Sequence, residues 1–315
     1  MAERFARIGI VGSGAVGCYY GTRLGLAGHD VRFLMRGDLQ AVRARGSMLV
    51  HDSHGSSELR PVAVFGSPGE IGEVDLVILS LKTTSGDVVE GLVRPLLGAD
   101  TAILTLQNGL GADEHLGRLF GAERIVGGLV FMAINRVGPG ESRSFNPGML
   151  SVGELGRPAL ARTHELAALI AGARINSQVV ENLLEARWQK LMWNIPFNGL
   201  AIAEGGITTD RICADPRIRA DAREIMVEIQ RAAAAFGFKL SDEFLERQFT
   251  RTVPMGAYKP SSLVDFLAGR DVEIEPIWGE PLRRAKAAGV AMPALESLHD
   301  RIIERCRVGY KPPVP

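Results

Sequence analysis

Between positions 187 and 200 the chain reads Arg-Trp-Gln-Lys-Leu-Met-Trp-Asn-Ile-Pro-Phe-Asn-Gly-Leu, with Lys190, Asn194 and Asn198 at every fourth position of an otherwise apolar run. On a helix that spacing lines three polar side chains along one face. An ammonium and two carboxamides among Leu191, Met192, Trp193, Ile195 and Phe197 are costly to bury unless something pairs with them. A lysine in such surroundings has a readily transferable proton, because desolvation lowers its pKa. A polar stripe that simply faces water is the plainer alternative. Pro196 lies inside the stripe, removes one backbone donor and disturbs the carbonyl of Met192, so a bend is expected there. A bent, half-buried helix with a polar stripe reads as the floor of a site.

The other end of the chain indicates what such a site works with. Residues 7–11 (Arg-Ile-Gly-Ile-Val) have strand composition, and Gly12-Ser13-Gly14-Ala15-Val16-Gly17 follows at once, before a helix-compatible run. Gly-x-Gly-x-x-Gly is a weak signal alone and a strong one between a strand and a helix. Gly12 suits the tight turn, Gly14 the approach of backbone to a pyrophosphate, and Gly17 close helix–strand packing, with the helix N-terminus meeting the negative charge. A second strand over 31–35 ends at Arg36, where an acid for the ribose hydroxyls would be usual in an NAD enzyme. A guanidinium there suits a 2′-phosphate, so NADP(H) is read over NAD(H). A surface arginine beside Asp38 is the alternative.

These candidate groups need elements to position them. The runs 74–81, 101–106 and 125–132 have the near-continuous apolar character of buried parallel strands, and strands are also expected near 150–154 and 178–181. Helices are expected over 87–97, 112–119 and 159–173. After Asn182 helical patterns take over, as in 221–236, 242–250 and 281–288. An α/β domain of Rossmann type over 1–181 is therefore expected, followed by an all-helical domain over 182–315. Ligands of such sheets lie at the carboxyl ends of the strands, which draws attention to Lys82 after Ser80-Leu81 and to Asn108 in Gln107-Asn108-Gly109. Both could equally be ordinary loop residues.

Composition narrows the class. The 315 residues allow two cores, and 36 basic against 36 acidic residues leave no electrostatic footprint for nucleic acid or an anionic membrane. Cys18, Cys213 and Cys306 are scattered and the histidines are unclustered, so neither a disulfide framework nor a metal site is expected. No stretch approaches the roughly twenty apolar residues of a membrane span, and the N-terminus lacks a signal-peptide core. A cytoplasmic enzyme with a small-molecule substrate is the expectation.

Taken together, these motifs resemble the ketopantoate reductase (2-dehydropantoate 2-reductase) family over almost the whole chain. The resemblance rests on Gly-Ser-Gly-Ala-Val-Gly, Leu-Lys-Thr, Gln-Asn-Gly, Trp-Gln-Lys-Leu-Met-Trp-Asn-Ile-Pro-Phe-Asn and Lys259-Pro260-Ser261-Ser262-Leu263-Val264-Asp265. It continues through Gly269-Arg270-Asp271-Val272-Glu273-Ile274 and Ala288-Gly289-Val290-Ala291-Met292-Pro293. It implies NADPH-dependent reduction of a small 2-oxo acid, ketopantoate, to pantoate on the route to pantothenate and coenzyme A. It further implies that Lys190 is the general acid and that Glu273 contacts cofactor or substrate and helps set the charge of Lys190. By the same resemblance, Asn194 and Asn198 bind substrate polar groups, Ser261 helps hold its carboxylate, and Asn108 bridges nicotinamide ribose and substrate. Arg36 and Lys82 would hold the 2′-phosphate end. A homodimer is compatible with this reading. The chain departs from the best-known members near Thr208 and at Trp278, where asparagines are more usual, and both changes are expected on the substrate side. An NAD(P)-dependent dehydrogenase of another branched or aromatic 2-oxo acid, and a non-catalytic dinucleotide sensor, are the alternatives.

Overall fold

Alternate residues of the apolar run 76–79 are buried against opposite layers: Leu76 and Ile78 belong to one hydrophobic core, Val77 and Leu79 to another. A strand apolar on both faces must be covered on both, which requires helices on each side of a parallel sheet. The computed structural model describes residues 4–146 and 148–309; residues 1–3, 147 and 310–315 of the two expected domains lie outside it. The chain forms two compact units, one comprising residues up to Gln107 together with Ala112–Leu184, the other Asn108–Gly111 with everything from Glu185 onward. The boundary expected at 181/182 stands just before a helix that starts at Leu183, and the two units divide inside that helix's first turn.

The first unit runs β1 (Arg7–Val11), α1 (Ala15–Leu26), β2 (Asp30–Leu34), α2 (Leu39–Arg45), β3 (Met48–Asp52), β4 (Gly55–Leu59), β5 (Ala63–Phe65), α3 (Pro68–Ile71), β6 (Val74–Leu79) and α4 (Gly86–Val93). It continues through β7 (Leu97–Thr105), α5 (Ala112–Phe120), β8 (Ile125–Phe131), β9 (Ile134–Gly138), β10 (Glu141–Ser144), β11 (Met149–Glu154), α6 (Ala161–Gly172) and β12 (Ser177–Val179). Among the described residues, one sheet has the order β12-β11-β8-β7-β6-β1-β2-β5. Its pairs are parallel except β8 with β11. One face packs on Tyr20 and Leu24 of α1 and Leu166 and Ile170 of α6, the other on Val89 and Val93 of α4 and Leu116 and Phe120 of α5.

A second sheet, β4-β3-β10-β9, was not anticipated from the sequence. Met48 and Val50 of β3 join the core that contains α1, so this sheet covers α1. A buried ion pair of Arg23 with Asp52, to which Tyr19 also donates at 3.2 Å, ties the helix to the β3–β4 hairpin.

The second unit is helical among the described residues: α7 (Leu183–Ala203, which enters from the first unit), α8 (Thr209–Ala214), α9 (Pro216–Ala235), α10 (Asp242–Thr252), α11 (Ser261–Leu267), α12 (Glu280–Ala287) and α13 (Pro293–Val308). A π-helical turn, Glu275–Gly279, leads into α12. Helix α7 continues through Pro196, whose cost in a helix interior is about 3 kcal/mol. Trp188, Met192, Ile195, Phe197 and Leu200 are all fully buried, and at about 1.5–3 kcal/mol each their burial outweighs that cost. Buried Glu228 of α9 accepts hydrogen bonds from the amides of Ala294 and Leu295 at 2.8 and 2.9 Å. It thereby satisfies the first turn of α13, where a carboxylate also meets the helix dipole favourably. No described helix is long and apolar enough to cross a membrane, and no group of described residues is arranged to hold a metal.

Candidate active site

In the first unit the glycine-rich segment turns the chain from β1 into α1. Gly12 has φ +99°, and a β carbon there would stand 2.5 Å from the Leu81 nitrogen. A β carbon on Gly17 would stand 2.2 Å from the Gly12 carbonyl oxygen. Side chains are therefore excluded at both positions by the loop's own packing. Ser80 Oγ donates to that same carbonyl at 2.6 Å, and Ser13 Oγ donates to the Leu34 carbonyl at 2.8 Å. Gly14 is different: it is exposed, and the space its β carbon would take is open to 4 Å. It precedes α1 without giving a side-chain cap, so the first amides of that helix, beginning with Ala15 and Val16, lack the usual intrahelical partners. An open approach to uncapped amides fits a pyrophosphate. Cys18, behind the loop, is pushed up to about 12 by burial and by the Asp38 carboxylate, which makes it packing and not a nucleophile.

Arg36 follows β2, is exposed, and makes no hydrogen bond or ion pair to the described residues. Lys82 is half-buried after β6, immediately before a short 3-10 turn at Thr83–Ser85. Because β2 and β6 flank β1, both cations stand at strand ends on either side of the glycine loop. Gln107 is fixed by donating to the Leu81 carbonyl at 3.0 Å.

Asn108 does not join this group. Its short segment belongs to the helical unit, where Asn108 Oδ1 accepts a 2.8 Å hydrogen bond from Lys190 Nζ. The Leu110 amide donates to the Pro276 carbonyl in the π-turn at 2.9 Å. Gly109 between them has φ +83°, and a β carbon would lie 2.1 Å from the Pro276 oxygen. Trp278 of the same turn donates its indole N–H to the Ile195 carbonyl at 3.0 Å and is fully buried. It packs behind α7 and so does not line a substrate space, contrary to the expectation for this position. Thr208 stands at the N-cap position of α8, where its hydroxyl donates to the Asp210 carboxylate and accepts no cap hydrogen bond from a helix amide.

Lys190, Asn194 and Asn198 all lie on α7, buried. Burial lowers the pKa of Lys190 to about 7, reinforced by the guanidinium of Arg187 and opposed by the carboxylate of Glu273. At neutral pH the ammonium is thus poised to give up its proton. Arg187, one turn earlier and itself buried, was not singled out from the sequence, although its spacing from Lys190 extends the same stripe. Ser80, which clamps the glycine loop, likewise carries no sequence signal of that role. Asn198 Oδ1 accepts from the Ser262 amide at 2.9 Å and from Ser261 Oγ at 3.5 Å, while Nδ2 donates to the Asn194 carbonyl at 3.0 Å. It thus fastens the start of α11, and with it Ser261, to α7. Asn194 is only 9% exposed, and its carboxamide makes no hydrogen bond to the described residues. The residue is largely buried while its amide tip is not sealed in, and a reachable amide without a protein partner is a place for a polar ligand.

The family model described as "Ketopantoate reductase PanE/ApbA" matches residues 8–157, and its C-terminal counterpart matches residues 182–305. The chain belongs to the ketopantoate reductase family. A 2-dehydropantoate 2-reductase of Nostoc sp. is 33% identical over 307 residues, covering 96% of this chain and 95% of that protein. The crystal structure of 2-dehydropantoate 2-reductase from Geobacter metallireducens GS-15 superposes with a TM-score of 0.91 at 41% identity, covering 95% of this chain and 99% of that one. The fold extends further, to a ternary structure of D-mandelate dehydrogenase with NADH and anilino(oxo)acetate, at a TM-score of 0.87 and 23% identity over 96% of this chain and 98% of that one. The family architecture, a mixed α/β sheet domain followed by a helical domain, is the one described above.

Proposed function

We propose that this ketopantoate reductase family member reduces the ketone of 2-dehydropantoate to pantoate with NADPH, on the route to pantothenate. The observation that carries the reading is Lys190: a buried ammonium with a pKa of about 7, hydrogen-bonded to Asn108 and set beside the unpartnered amide of Asn194. Relatives named for this reaction, together with the matching family model, support the same substrate.

The bound nicotinamide supplies the hydride. Attack on the carbonyl carbon breaks the C=O π bond and leaves charge on oxygen, which Lys190 neutralises by transferring its proton to that oxygen. The product is the 2-hydroxy acid and a neutral amine, and solvent returns the proton to Lys190. Glu273, whose charge favours the protonated amine, supports the acid form between turnovers. Asn194 and Ser261 are assigned to the substrate's oxygens, Asn198 to holding Ser261 as well as to substrate, and Asn108 to orienting Lys190 against the nicotinamide ribose and substrate. The segment from Gly12 to Gly17 is assigned to the pyrophosphate, and Arg36 with Lys82 to the 2′-phosphate, whose planar fork-to-phosphate contacts favour arginine.

The test is NADPH oxidation followed at its absorbance with a panel of 2-oxo acids. The expected result is the highest kcat/KM for 2-dehydropantoate. Preference for another branched or aromatic 2-oxo acid would replace the substrate while keeping the chemistry, and turnover of none would overturn the reading.

A further inference from the structure

Two residues beyond Arg36, at the same end of β2, stands a charge of opposite sign, Asp38. An acid at this end of β2 ordinarily accepts from ribose hydroxyls and repels a 2′-phosphate. Here the carboxylate is already occupied. Arg136 of β9 holds it through two contacts, Nε to Oδ2 at 3.0 Å and Nη2 to Oδ1, and the Gly140 amide donates to Oδ2 at 3.1 Å. Asp38's side chain is 14% exposed, whereas Arg136 lies at the surface.

The hairpin that supplies these donors is fixed in turn. Arg45, at the end of α2, donates to the carbonyls of Pro139 at 2.9 Å and Gly140 at 3.2 Å, and the Leu49 amide donates to Gly140 at 3.1 Å. The second sheet therefore grips the loop after β2 at its acid and leaves the basic member, Arg36, exposed. A fork-shaped guanidinium on a carboxylate both cancels the charge and fixes its direction.

We propose that Arg136 is a positioning residue for cofactor choice: by holding and neutralising Asp38 it leaves Arg36 as the uncompensated charge that reads a 2′-phosphate. The inference rests on the NADPH reading above and adds to it a residue outside the nucleotide fingerprint. Without Arg136, Asp38 keeps only the Gly140 amide and its charge is uncompensated two residues from Arg36, available to pair with it or to repel the phosphate. Discrimination should then fall through loss of NADPH affinity, with NADH affinity kept or improved.

The experiment is calorimetric titration of the unliganded protein with NADPH and with NADH, for the wild type, Arg136→Ala, and the double variant Asp38→Asn/Arg136→Ala. Arg136→Ala is expected to reduce the ratio of the two affinities by on the order of tenfold, at low ionic strength more than at high. The double variant is expected to recover most of the lost ratio, since the carboxylate that needed neutralising is gone. Arg136→Gln, which keeps a donor and most of the stem, replaces the alanine variant if that one does not fold. Equal weakening of both cofactors, or no recovery in the double variant, would overturn the inference and leave Arg136 a structural residue. An unchanged ratio in Arg136→Ala would overturn it while wild-type NADPH preference kept the functional reading intact. A wild type that prefers NADH would remove that reading and this inference together.

Discussion

Lys190 Nζ and Asn108 Oδ1 are 2.8 Å apart although 82 residues separate them in sequence. The contact exists because the four residues Asn108–Gly111 leave the end of a parallel strand and pack with the helical unit. Their backbone is held there by the amide of Leu110 on the carbonyl of Pro276. A carboxamide oxygen on an ammonium favours the charged form and fixes its direction. A lysine with its pKa near neutrality is useful as an acid only when its nitrogen is held in place, and under the proposed mechanism the contact with Asn108 is that hold.

Gly109→Ala tests the arrangement without removing any functional group. The added methyl meets the Pro276 carbonyl and requires positive φ from an alanine. Asn108 should be displaced from Lys190, and kcat for ketone reduction should fall, on the order of tenfold or more, as expected for a misplaced group near the chemistry. NADPH affinity, measured by titration, should change much less. Unaltered kcat in a folded variant would show that the Asn108–Lys190 contact is dispensable.

Asn198→Ala should act on stability as well as on catalysis. The substitution leaves the buried amide of Ser262 without its acceptor, at a cost of about 1–3 kcal/mol. Denaturant melts should therefore shift to lower midpoint, and KM for the oxo acid should rise as Ser261 loses its anchor. A rise in KM with unchanged stability would mean that Asn198 acts on the substrate directly and that its contacts to α11 contribute little.

The parts of the fold legible from sequence were those in which one physical demand dominates. Strands β1, β6, β7 and β8 are buried on both faces and read as apolar runs; Lys190, Asn194 and Asn198 share a helix because a spacing of four allows little else. The second sheet was not legible. Gly55-Ser56-Ser57-Glu58-Leu59 and Ile134-Asn135-Arg136-Val137-Gly138 are short, polar and half-exposed, so alternation over five residues does not separate strand from loop. Its burial comes from α1, which the local sequence cannot report. Asn108 reads with its strand because its neighbours in the fold, Lys190 and the Pro276 turn, are remote in sequence. The turn itself contains Pro276 and Gly279, which signal loop where the chain forms a π-helical turn. The inward direction of Trp278 is illegible for a related reason: a departure from a family pattern says nothing about which way the side chain points.

The charges around Lys190 predict opposite pH shifts in two variants. An acid that must be protonated gives a rate that falls as pH rises through its pKa. Glu273 raises that pKa, so Glu273→Gln should move the descending limb of log(kcat/KM) to lower pH. Arg187 lowers it, so Arg187→Met should move the limb to higher pH. Arg187 is buried, so circular dichroism must first show that its variant is folded. Shifts in the same direction, or none, would detach the limb from Lys190.

Lys190→Met carries the mechanistic proposal furthest, because chemistry and stability should respond in opposite senses. Turnover of the 2-oxo acid should fall by about a hundredfold or more, the usual scale for a positioned acid, and the limb near pH 7 should vanish. NADPH binding should be nearly retained, since the glycine loop, Arg36 and Lys82 belong to the other unit. Burial depresses the lysine in the folded chain from the ordinary 10.5 to about 7. Between those values the unfolded chain therefore binds more protons, and wild-type stability should rise with pH across that window. Below pH 7 both states are protonated and the full penalty of a buried ammonium persists; above 10.5 both are neutral and it is gone. A methionine of similar length carries no such penalty, so the variant should be more stable than the wild type at pH 6–7, with the difference shrinking towards pH 10. The measurements are stopped-flow or steady-state NADPH oxidation, cofactor titration and denaturant melts at several pH values. A folded variant with near wild-type turnover would exclude Lys190 as the acid. A variant that lost activity, cofactor affinity and stability together would make the lysine a structural residue.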